Sequence, residues 1–395
     1  MQIIILDSHP LPDRRINRHI GYMREHGYEL FRLNIDRSLS YKHSGMAPST
    51  SIPCYVIGCA YTRNNTLNKI CYNIQRFVVN NEDIDSVMTR LGVSYQIPTV
   101  VHVHDPVLLP FAVKIYGRLQ HAKLVYDRHE VYESRIKHFS LISLPKIARF
   151  SEILTANYID GVVTILEEYR CVVEKMFPRS EIAVVPNFPV YENYDDKVIL
   201  SKIENVSRAS VIHFVYIGSL SWDHDRDIGL ILYLAESLLS NNYNVKFTVG
   251  GQTSDEKLLS EFSRLSAIYP DKFIYAGYLS PDLVIQHTQI AHFGFLLIKP
   301  NTHYWVLTSP NKVFEYLRCG VIPILRAKCS CKIQLQNNSI WFEREDSKEL
   351  ILEKIKSIIQ DPDKIHDMML LSYRLSSHFS YESVAHEYLC LYNAI

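Results

Sequence analysis

The sequence predicts an α/β protein with two successive parallel β-sheets, each covered by helices on both faces. Short β-rich runs alternate with helical patterns along almost all of the 395 residues. The alternation lapses once, in a polar and tyrosine-rich stretch between Asn187 and Ser210. Strand–helix alternation is typical of parallel sheets, and the single lapse indicates a linker between two domains.

The first half opens with a buried strand over Ile3–Leu6. Ile16, Ile20 and Met23 then recur at helical spacing, and Gly27 stands where the C-cap of this helix is expected. The remaining strands predicted in this half are Tyr28–Leu33, Val100–Val103, Leu124–Tyr126, Gly161–Ile165 and Ala183–Val185.

The alternation restarts after the linker and continues almost to residue 395. The strands predicted there are Ile212–Ile217, Val245–Val249, Phe273–Tyr275, Phe293–Leu297 and Ile322–Leu325. The final stretch, FSYESVAHEYLCLYNAI, is predicted to be an amphipathic helix. Two α/β units joined in this way are expected to have a ligand-binding cleft between them.

Composition narrows the class of protein. Hydrophobic residues make up 47% and charged residues 21%, which is typical of a folded chain with large cores. The 42 Lys and Arg residues balance 42 Asp and Glu residues, which argues against a nucleic-acid partner, since such proteins are normally basic. The sequence has no apolar run of the ~18–20 residues that a membrane span needs, and no secretory signal is recognised. The eight cysteines, including Cys329-x-Cys331, are therefore expected to be reduced thiols of a cytoplasmic protein.

The segment Thr308–Leu325, TSPNKVFEYLRCGVIPIL, carries more polar residues than a space-filling helix needs. Ser309 is the predicted N-cap, and the free N–H groups at a helix start form an anion site. Lys312 in the first turn opposes the helix dipole unless an anion binds beside it. Asn311 and Glu315 share the face of Lys312, and a carboxylate at Glu315 is suited to a vicinal diol such as ribose. An ordinary capped helix with a solvated polar face explains the same residues equally well.

This segment resembles the donor-binding helix of GT-B glycosyltransferases, especially family 4 (glycosyl transferases group 1), which often carry PNK-x-x-EY-x-x-x-G-x-P. The resemblance implies that Glu315 holds the ribose hydroxyls of a nucleotide-sugar and that the loop before the helix meets the diphosphate. Many family members carry a further glutamate ahead of this helix, and this chain lacks it.

Two further stretches of the second half are similar to the same family. HFVYIGSLSWDHDRDIGLILYL resembles the strand, glycine loop and helix that open the C-terminal domain. The resemblance implies that Gly218 and Ser219 offer backbone N–H groups to the diphosphate and that Arg226 balances its charge. FIYAGYLSPDLVIQHTQIAHFGFLLIKP resembles the stretch whose first loop, around Tyr278, holds the base.

The first half resembles the acceptor domain of the family. LPDRRINRHIGYMREHGYEL is similar to its D-x-R-[IV] opening helix, with Arg15 at the arginine. KLVYDRHEVYESR resembles a strand end that faces the cleft, and the resemblance implies that His129 lies beside the transferred sugar. Asp127 or Glu130 is the candidate general base of an inverting reaction. A retaining reaction, which the resemblance favours, needs no such base.

VVHVHDPVLLP resembles a second strand end that faces the cleft. His102 and His104 alternate along the strand and therefore share one side of it. Together with Asp105 they are compatible with a metal site, but a pair at the edge of the cleft is the preferred interpretation. Arg15, His104 and Asp105 are accordingly predicted on the acceptor side, and no metal site is predicted.

Arg14 and Arg18, in the basic segment 12–42, are spaced to share a helix face. A solvated face explains this pair, and attraction to the headgroups of an anionic membrane is the alternative.

The resemblance extends over residues 3–392 and implies a GT-B fold with two Rossmann-like domains. Residues 1–190 would bind the acceptor, 191–375 the nucleotide-sugar, and 376–395 would form a helix that crosses back to the N-terminal domain. The implied activity is sugar transfer from a nucleotide-sugar, with a UDP-sugar expected, to a saccharide or lipid-linked saccharide of a surface glycan.

No cofactor and no metal are expected for this reaction, because Arg226, Lys312 and the helix start would stabilise the leaving diphosphate. Two alternatives stay open: a GT-B nucleotide-sugar epimerase or hydrolase, and a non-catalytic partner subunit that binds a sugar nucleotide.

Overall fold

The computed structural model describes residues 1–9, 11, 13–35, 44–48, 50–58, 83–129, 144–209, 211–223, 225–300, 311–326, 335 and 337–395. The chain forms two compact units, the first comprising Met1–Asn187 with Val384–Ile395 and the second comprising Phe188–Ser383. Among the residues singled out from the sequence, Glu130, Ser309, Cys329 and Cys331 lie outside the described ranges.

The first unit contains an eight-stranded sheet with the order β3-β4-β2-β1-β5-β6-β7-β8. Its strands are β1 (Gln2–Asp7), β2 (Glu29–Ile35), β3 (Gly45–Met46), β4 (Cys54–Ile57), β5 (Thr99–Val103), β6 (Ala122–Arg128), β7 (Gly161–Thr164) and β8 (Glu181–Val184). Neighbouring strands are parallel except β3 and β4, which pair antiparallel. The α-helices among the described residues before 187 are α1 (Arg14–Glu25), α2 (Ile84–Leu91), α3 (Leu109–Tyr116), α4 (Leu144–Thr155) and α5 (Arg170–Met176).

The second unit contains a six-stranded parallel sheet with the order β11-β10-β9-β12-β13-β14. Its strands are β9 (Ile212–Ile217), β10 (Val245–Gly250), β11 (Phe273–Gly277), β12 (Phe293–Leu297), β13 (Ile322–Arg326) and β14 (Ile340–Trp341). Its helices are α6 (Asp196–Glu204), α7 (Ile228–Ser240), α8 (Glu256–Ile268), α9 (Pro281–Gln289), α10 (Asn311–Arg318), α11 (Lys348–Ile359), α12 (Pro362–Leu375) and α13 (Tyr381–Val384). The two parallel sheets confirm the predicted α/β architecture.

Local sequence signals set the ends of the helices that carry the predicted site. In α1, the Asp13 side chain accepts a hydrogen bond from the N–H of Ile16 at 3.0 Å, and Gly27 follows the helix with φ +80°. Gly320 has φ +60° just after α10, which is the left-handed end predicted for that helix. Arg14 is exposed on α1, whereas Arg18 donates a hydrogen bond to Asn187 Oδ1, so the two arginines do not form a simple basic face.

The predicted linker contains a helix and is therefore wrong in part. Asp195 accepts hydrogen bonds from the first turn of α6, and Ile199 and Ile203 are buried in the core of the second unit. The segment is mostly polar, and these two apolar residues at i and i+4 were too few to indicate a helix in the sequence.

The helix α14 (His386–Ala394) belongs to the first unit although it follows the whole second unit in sequence. Leu391 packs on Gly161 of β7, where an added Cβ would lie 3.0 Å from Leu391 Cδ1. Tyr388 and Tyr392 are buried on the same helix. This return confirms that the end of the chain crosses back, but the return begins at Val384 and not at residue 376, because residues 376–383 belong to the second unit. The segment also forms two helices, α13 and α14, rather than one.

No helix among the described residues is both long enough and apolar enough to span a bilayer.

Candidate active site

The strand ends of β9, β10 and β11 in the second unit are lined by bare backbone. The N–H of Gly218 donates to the carbonyl of Gly250 at 2.9 Å, and the N–H of Gly251 donates to that of Gly277 at 2.7 Å. Gly251 has φ +143°, and a Cβ there would lie 2.0 Å from the carbonyl oxygen of Gly218, so only glycine fits. These glycines therefore let the strand ends pack closely on one another. The N–H of Gly218 is occupied within the sheet, so it is not offered to a diphosphate as the resemblance implied.

Lys312, in the first turn of α10, lies across Gly218. A Cβ on Gly218 would be 2.7 Å from Lys312 Cε and 3.2 Å from its Nζ, so any side chain there would have to displace the lysine. Burial lowers the pKa of Lys312, and the nearby charge of Arg226 lowers it further. The carboxylate of Glu315 opposes both influences but does not cancel them. A partly buried ammonium thus stands over a bare strand end, with a guanidinium close by.

The loop after β9 is fixed by its own polar contacts. The Tyr216 hydroxyl donates to the carbonyl of Ser219 at 2.8 Å, and burial raises the pKa of Tyr216 to about 12. Arg226 Nη1 lies 3.1 Å from Asp225 Oδ2, and both side chains are less than one fifth exposed. The main chain at Ser219 is thereby held in place while its side chain stays exposed.

The other predicted donor residues in the second unit face solvent to different degrees. Asn311 is exposed, Glu315 is partly exposed, and the Tyr278 side chain is 74% exposed. Because the Tyr278 side chain is so exposed, a nucleotide base at this loop would contact the main chain rather than pack against the tyrosine ring. Ser309 lies outside the described residues.

Asp127, at the end of β6 in the first unit, is completely buried and surrounded by polar partners. Arg15 Nη2 donates to its Oδ1 at 2.6 Å, and the Tyr388 hydroxyl donates to its Oδ2 at 3.3 Å. His104 Nδ1 lies 3.1 Å from the same Oδ2. Burial alone would raise the pKa of Asp127, but the guanidinium of Arg15, which is the largest opposing influence, holds it well below its ordinary value. Asp127 is therefore a carboxylate.

Three histidines lie beside this carboxylate. His102 and His104 come from β5 and its end, and the ring of His19 from α1 lies with its centroid 4.5 Å from that of His102. The Tyr392 hydroxyl lies 3.1 Å from His19 Nε2 and 2.5 Å from His102 Nδ1. Burial lowers the pKa of all three histidines, so their rings are neutral.

His129 follows β6 and is the partly exposed member of this group. Its Nδ1 lies 3.2 Å from the carbonyl oxygen of Asp127 and 3.6 Å from Asp127 Oδ1. The His129 side chain is 13% exposed, whereas that of Asp127 is 0% exposed. His129 is therefore the histidine of this group that solvent reaches, and the carboxylate lies beneath it.

Burial changes the roles expected for two predicted residues. Asp127 has no exposed atom through which to take a proton from an acceptor, which argues against the predicted role of general base; its carboxylate contacts Arg15 and His129 instead. His104 is also completely buried, which removes it from the acceptor-side set and from the predicted edge of a cleft. Asp105 is partly buried and accepts a hydrogen bond from the N–H of Ser8 at 3.1 Å.

Sequence reasoning missed His19, Tyr388 and Tyr392. A signal existed for His19, because it falls on the helix face of Ile16 and Ile20, where a polar residue is out of place. The two tyrosines are spaced i and i+4 and therefore share a face of α14. The local sequence does not indicate which residues that face packs against.

No protein-family model and no curated protein matches the sequence. Solved structures match it along its whole length. Sucrose-phosphate synthase from Thermosynechococcus elongatus is 11% identical with a TM-score of 0.68, and the match covers 100% of this chain and 99% of that one. The α,α-trehalose-phosphate synthase (UDP-forming) from Burkholderia vietnamiensis is 9% identical with a TM-score of 0.64, and both chains are covered completely.

HepE from Anabaena, solved in complex with UDP and glucose, is 13% identical with a TM-score of 0.65, and both chains are again covered completely. At such low identity the likeness bears on the fold alone. The two parallel-sheet units and the full-length matches show that the chain has the GT-B fold predicted from its sequence.

Proposed function

We propose that the protein is a cytoplasmic glycosyltransferase that moves a sugar from a UDP-sugar to a saccharide or lipid-linked saccharide in surface glycan biosynthesis. The observation that carries the proposal is Lys312 lying across the bare strand end at Gly218. Backbone N–H groups and a cation at a helix start are the groups that hold a diphosphate. Complexes of HepE with UDP and glucose, and a UDP-forming synthase of the same fold, support UDP as the nucleotide.

Fixed positive groups would stabilise the leaving group in this reaction. Charge grows on the diphosphate as the sugar departs, and Lys312 and Arg226 are already in place before it does. No metal is then required at the diphosphate. Ser219 and Asn311 would contact the phosphates beside Gly218, whose own N–H already donates to Gly250. Glu315 would hold the ribose, and the main chain at Tyr278 would hold the base.

The first unit would supply the contact to the transferred sugar. His129 is partly exposed, and its ring is held beside the Asp127–Arg15 pair. Since Asp127 is buried, it supplies no base for deprotonating an acceptor. Transfer with retention of configuration needs no such base, and it is supported by a trehalose-6-phosphate synthase of the same fold that transfers with retention.

Calorimetric titration with UDP tests the donor site. We expect Lys312→Ala to weaken UDP binding about 10- to 100-fold, because a hydrogen bond to a charged group contributes about 1.5–3 kcal/mol. Lys364→Ala is the matched control, since Lys364 is an exposed lysine in the first turn of α12. Absence of UDP binding by the wild-type protein, or equal loss in both variants, would contradict the proposed site.

Turnover assays separate the proposal from its two alternatives. Incubation with UDP-sugars and a panel of acceptors should yield a glycosylated acceptor, and His129→Ala should lower turnover more than UDP affinity. Loss of the UDP-sugar without an acceptor would identify a hydrolase or epimerase. Binding without turnover for every acceptor would identify a non-catalytic partner subunit.

An exposed apolar face on α4 supports contact with an anionic membrane and hence a lipid-linked acceptor. Phe150, Ile153 and Leu154 are 57%, 63% and 55% exposed. Lys146 lies on the same helix, as does Arg149, which also pairs with Glu152. Apolar side chains beside basic ones are typical of helices that bind the membrane interface.

Flotation with vesicles of anionic lipid tests this contact. Ile153→Ser should reduce the bound fraction, and added salt should reduce it as well. Ile268→Ser is the control, because Ile268 is 52% exposed in the second unit. Equal binding by both variants would reject α4 as the membrane contact.

A further inference from the structure

His19, His102 and His104 form a compact group of imidazoles inside the first unit. One ring nitrogen from each residue lies within 4.8 Å of those of the other two. The three side chains are 1%, 0% and 0% exposed, so water does not reach them freely. Such a group of buried nitrogens resembles the donor set of a metal site more than a packed core.

The nitrogens of this group are only partly satisfied. Among the described residues, His19 Nδ1, His102 Nε2 and His104 Nε2 have no hydrogen-bond partner. Most buried polar atoms in proteins are paired, and an unpaired one is destabilising. Each of the three clustered rings therefore has an unpaired nitrogen that a ligand accepting its lone pair would satisfy.

In His19 and His102, the second ring nitrogen contacts a protein side chain. The Tyr392 hydroxyl contacts His19 Nε2 and His102 Nδ1, which leaves Nδ1 of the first and Nε2 of the second unpartnered. Histidines that bind a metal typically hold their other nitrogen in this way, which fixes the orientation of the ring. Tyr392 thus occupies the place of an outer-shell partner for two of the three rings.

We propose that His19 Nδ1, His102 Nε2 and a ring nitrogen of His104 bind a divalent transition-metal cation of the Zn²⁺ class. Three imidazoles are a donor set suited to Zn²⁺, Co²⁺ or Ni²⁺. Bond lengths of ~2.0–2.1 Å would bring the nitrogens to about 3.3 Å from one another, so cation binding would draw the three rings closer together.

Asp127 gives this site a nearby negative charge. Its Oδ2 lies 3.1 Å from His104 Nδ1 and 3.9 Å from His102 Nε2. The carboxylate would offset part of the charge of the cation, while its other oxygen stays on Arg15. The cation would join α1, β5 and, through Tyr392, α14. It would lie in the first unit and not at the diphosphate, so it is independent of the proposed donor site.

Cobalt binding by the full chain tests the site without reference to activity. After treatment with a chelator, Co²⁺ titration of the wild-type protein should reach one equivalent and produce the visible absorption of tetrahedral cobalt. Zn²⁺ should displace the Co²⁺ and abolish the absorption. At a hundredfold excess over its Kd, Zn²⁺ should raise the Tm of the first unit by about 5–10 °C.

Two substitutions and a control complete the test. His104→Asn should abolish the cobalt absorption, and Tyr392→Phe should weaken cobalt binding about 10- to 100-fold while keeping the ligands. His292→Asn should bind cobalt like the wild type, because His292 is a buried histidine of the second unit.

Absence of tetrahedral absorption in the wild-type protein overturns the proposal whatever the variants do. Equal binding by wild type and Tyr392→Phe overturns the assigned role of Tyr392. Failure of cobalt binding would leave UDP binding intact, and the reverse also holds.

Discussion

Replacing Asp127 by asparagine removes the negative partner of a buried ion pair in the first unit. Asp127 is 0% exposed and Arg15 is 13% exposed, so the substitution leaves a guanidinium with little access to water. Breaking such a pair by removing one member costs about 3–5 kcal/mol. Asp85→Asn is the matched control, because Asp85 pairs with Arg118 while both side chains are about half exposed. Pairs of that kind contribute about 0–1 kcal/mol.

Calorimetric melting converts these free energies into measurable shifts. For a unit of this size, 1 kcal/mol corresponds to about 2–4 °C in Tm. We therefore expect Asp127→Asn to lower the Tm of the first unit by about 6–20 °C and Asp85→Asn by less than about 4 °C. A chelator in the buffer keeps cation binding out of the comparison.

The double variant Arg15→Met with Asp127→Asn sharpens this test. Removing the buried positive charge as well should recover part of the lost Tm, so the two substitutions should be strongly non-additive. A melting temperature for Asp127→Asn within about 2 °C of wild type would refute the reasoning. Additive effects of the two substitutions would show that the pair does not act as a unit.

Three further predictions concern the second unit and α1. Burial lowers the pKa of His213 to about 4 and that of His292 to about 3, against ~6.5 in the unfolded chain. Below pH 6.5 the unfolded state therefore binds more protons than the folded state, and stability falls as the pH is lowered. Urea unfolding should give a free energy of unfolding about 2 kcal/mol lower per histidine at pH 5 than at pH 7.5. Equal free energies at the two pH values would contradict this. Gly218→Val should displace Lys312 and weaken UDP binding more than tenfold with little change in Tm, and unchanged affinity would argue against a phosphate contact there. Gly21→Ala, in α1 with no atom within 4 Å of the added Cβ, should raise the free energy of unfolding by about 0.5–1 kcal/mol, and a lower Tm would contradict it.

The parallel strands were predictable because burial on both faces leaves continuous apolar runs. The predicted bounds of β9 and β12 agree with the structure residue for residue. The strands β3 and β14 have two residues each, too few to show any periodicity, and β4 has four. Short strands at the edge of a sheet depend on pairing partners, which a local pattern does not contain.

The candidate site likewise has a part that local sequence patterns predicted and a part that they did not. The strand-end glycines and the lysine of α10 belong to local patterns, and the sequence predicted both. The network around Asp127 depends on contacts between distant residues, such as His19 with Tyr392, which are 373 positions apart. Periodicity tells which face of a helix is buried, but not what that face covers. The burial of Asp127 and His104 was for this reason invisible before the structure.

The return of α14 to the first unit has a consequence for synthesis on the ribosome. Residues 1–187 emerge first, yet Tyr388, Leu391 and Tyr392, which complete their interior, are made only after the whole second unit. Until then the nascent first unit exposes Gly161 and the surface that Leu391 later covers. Domains usually fold in the order of their translation, but here the unit that is translated first is finished last, so the second unit can fold while the first still awaits its closing helix.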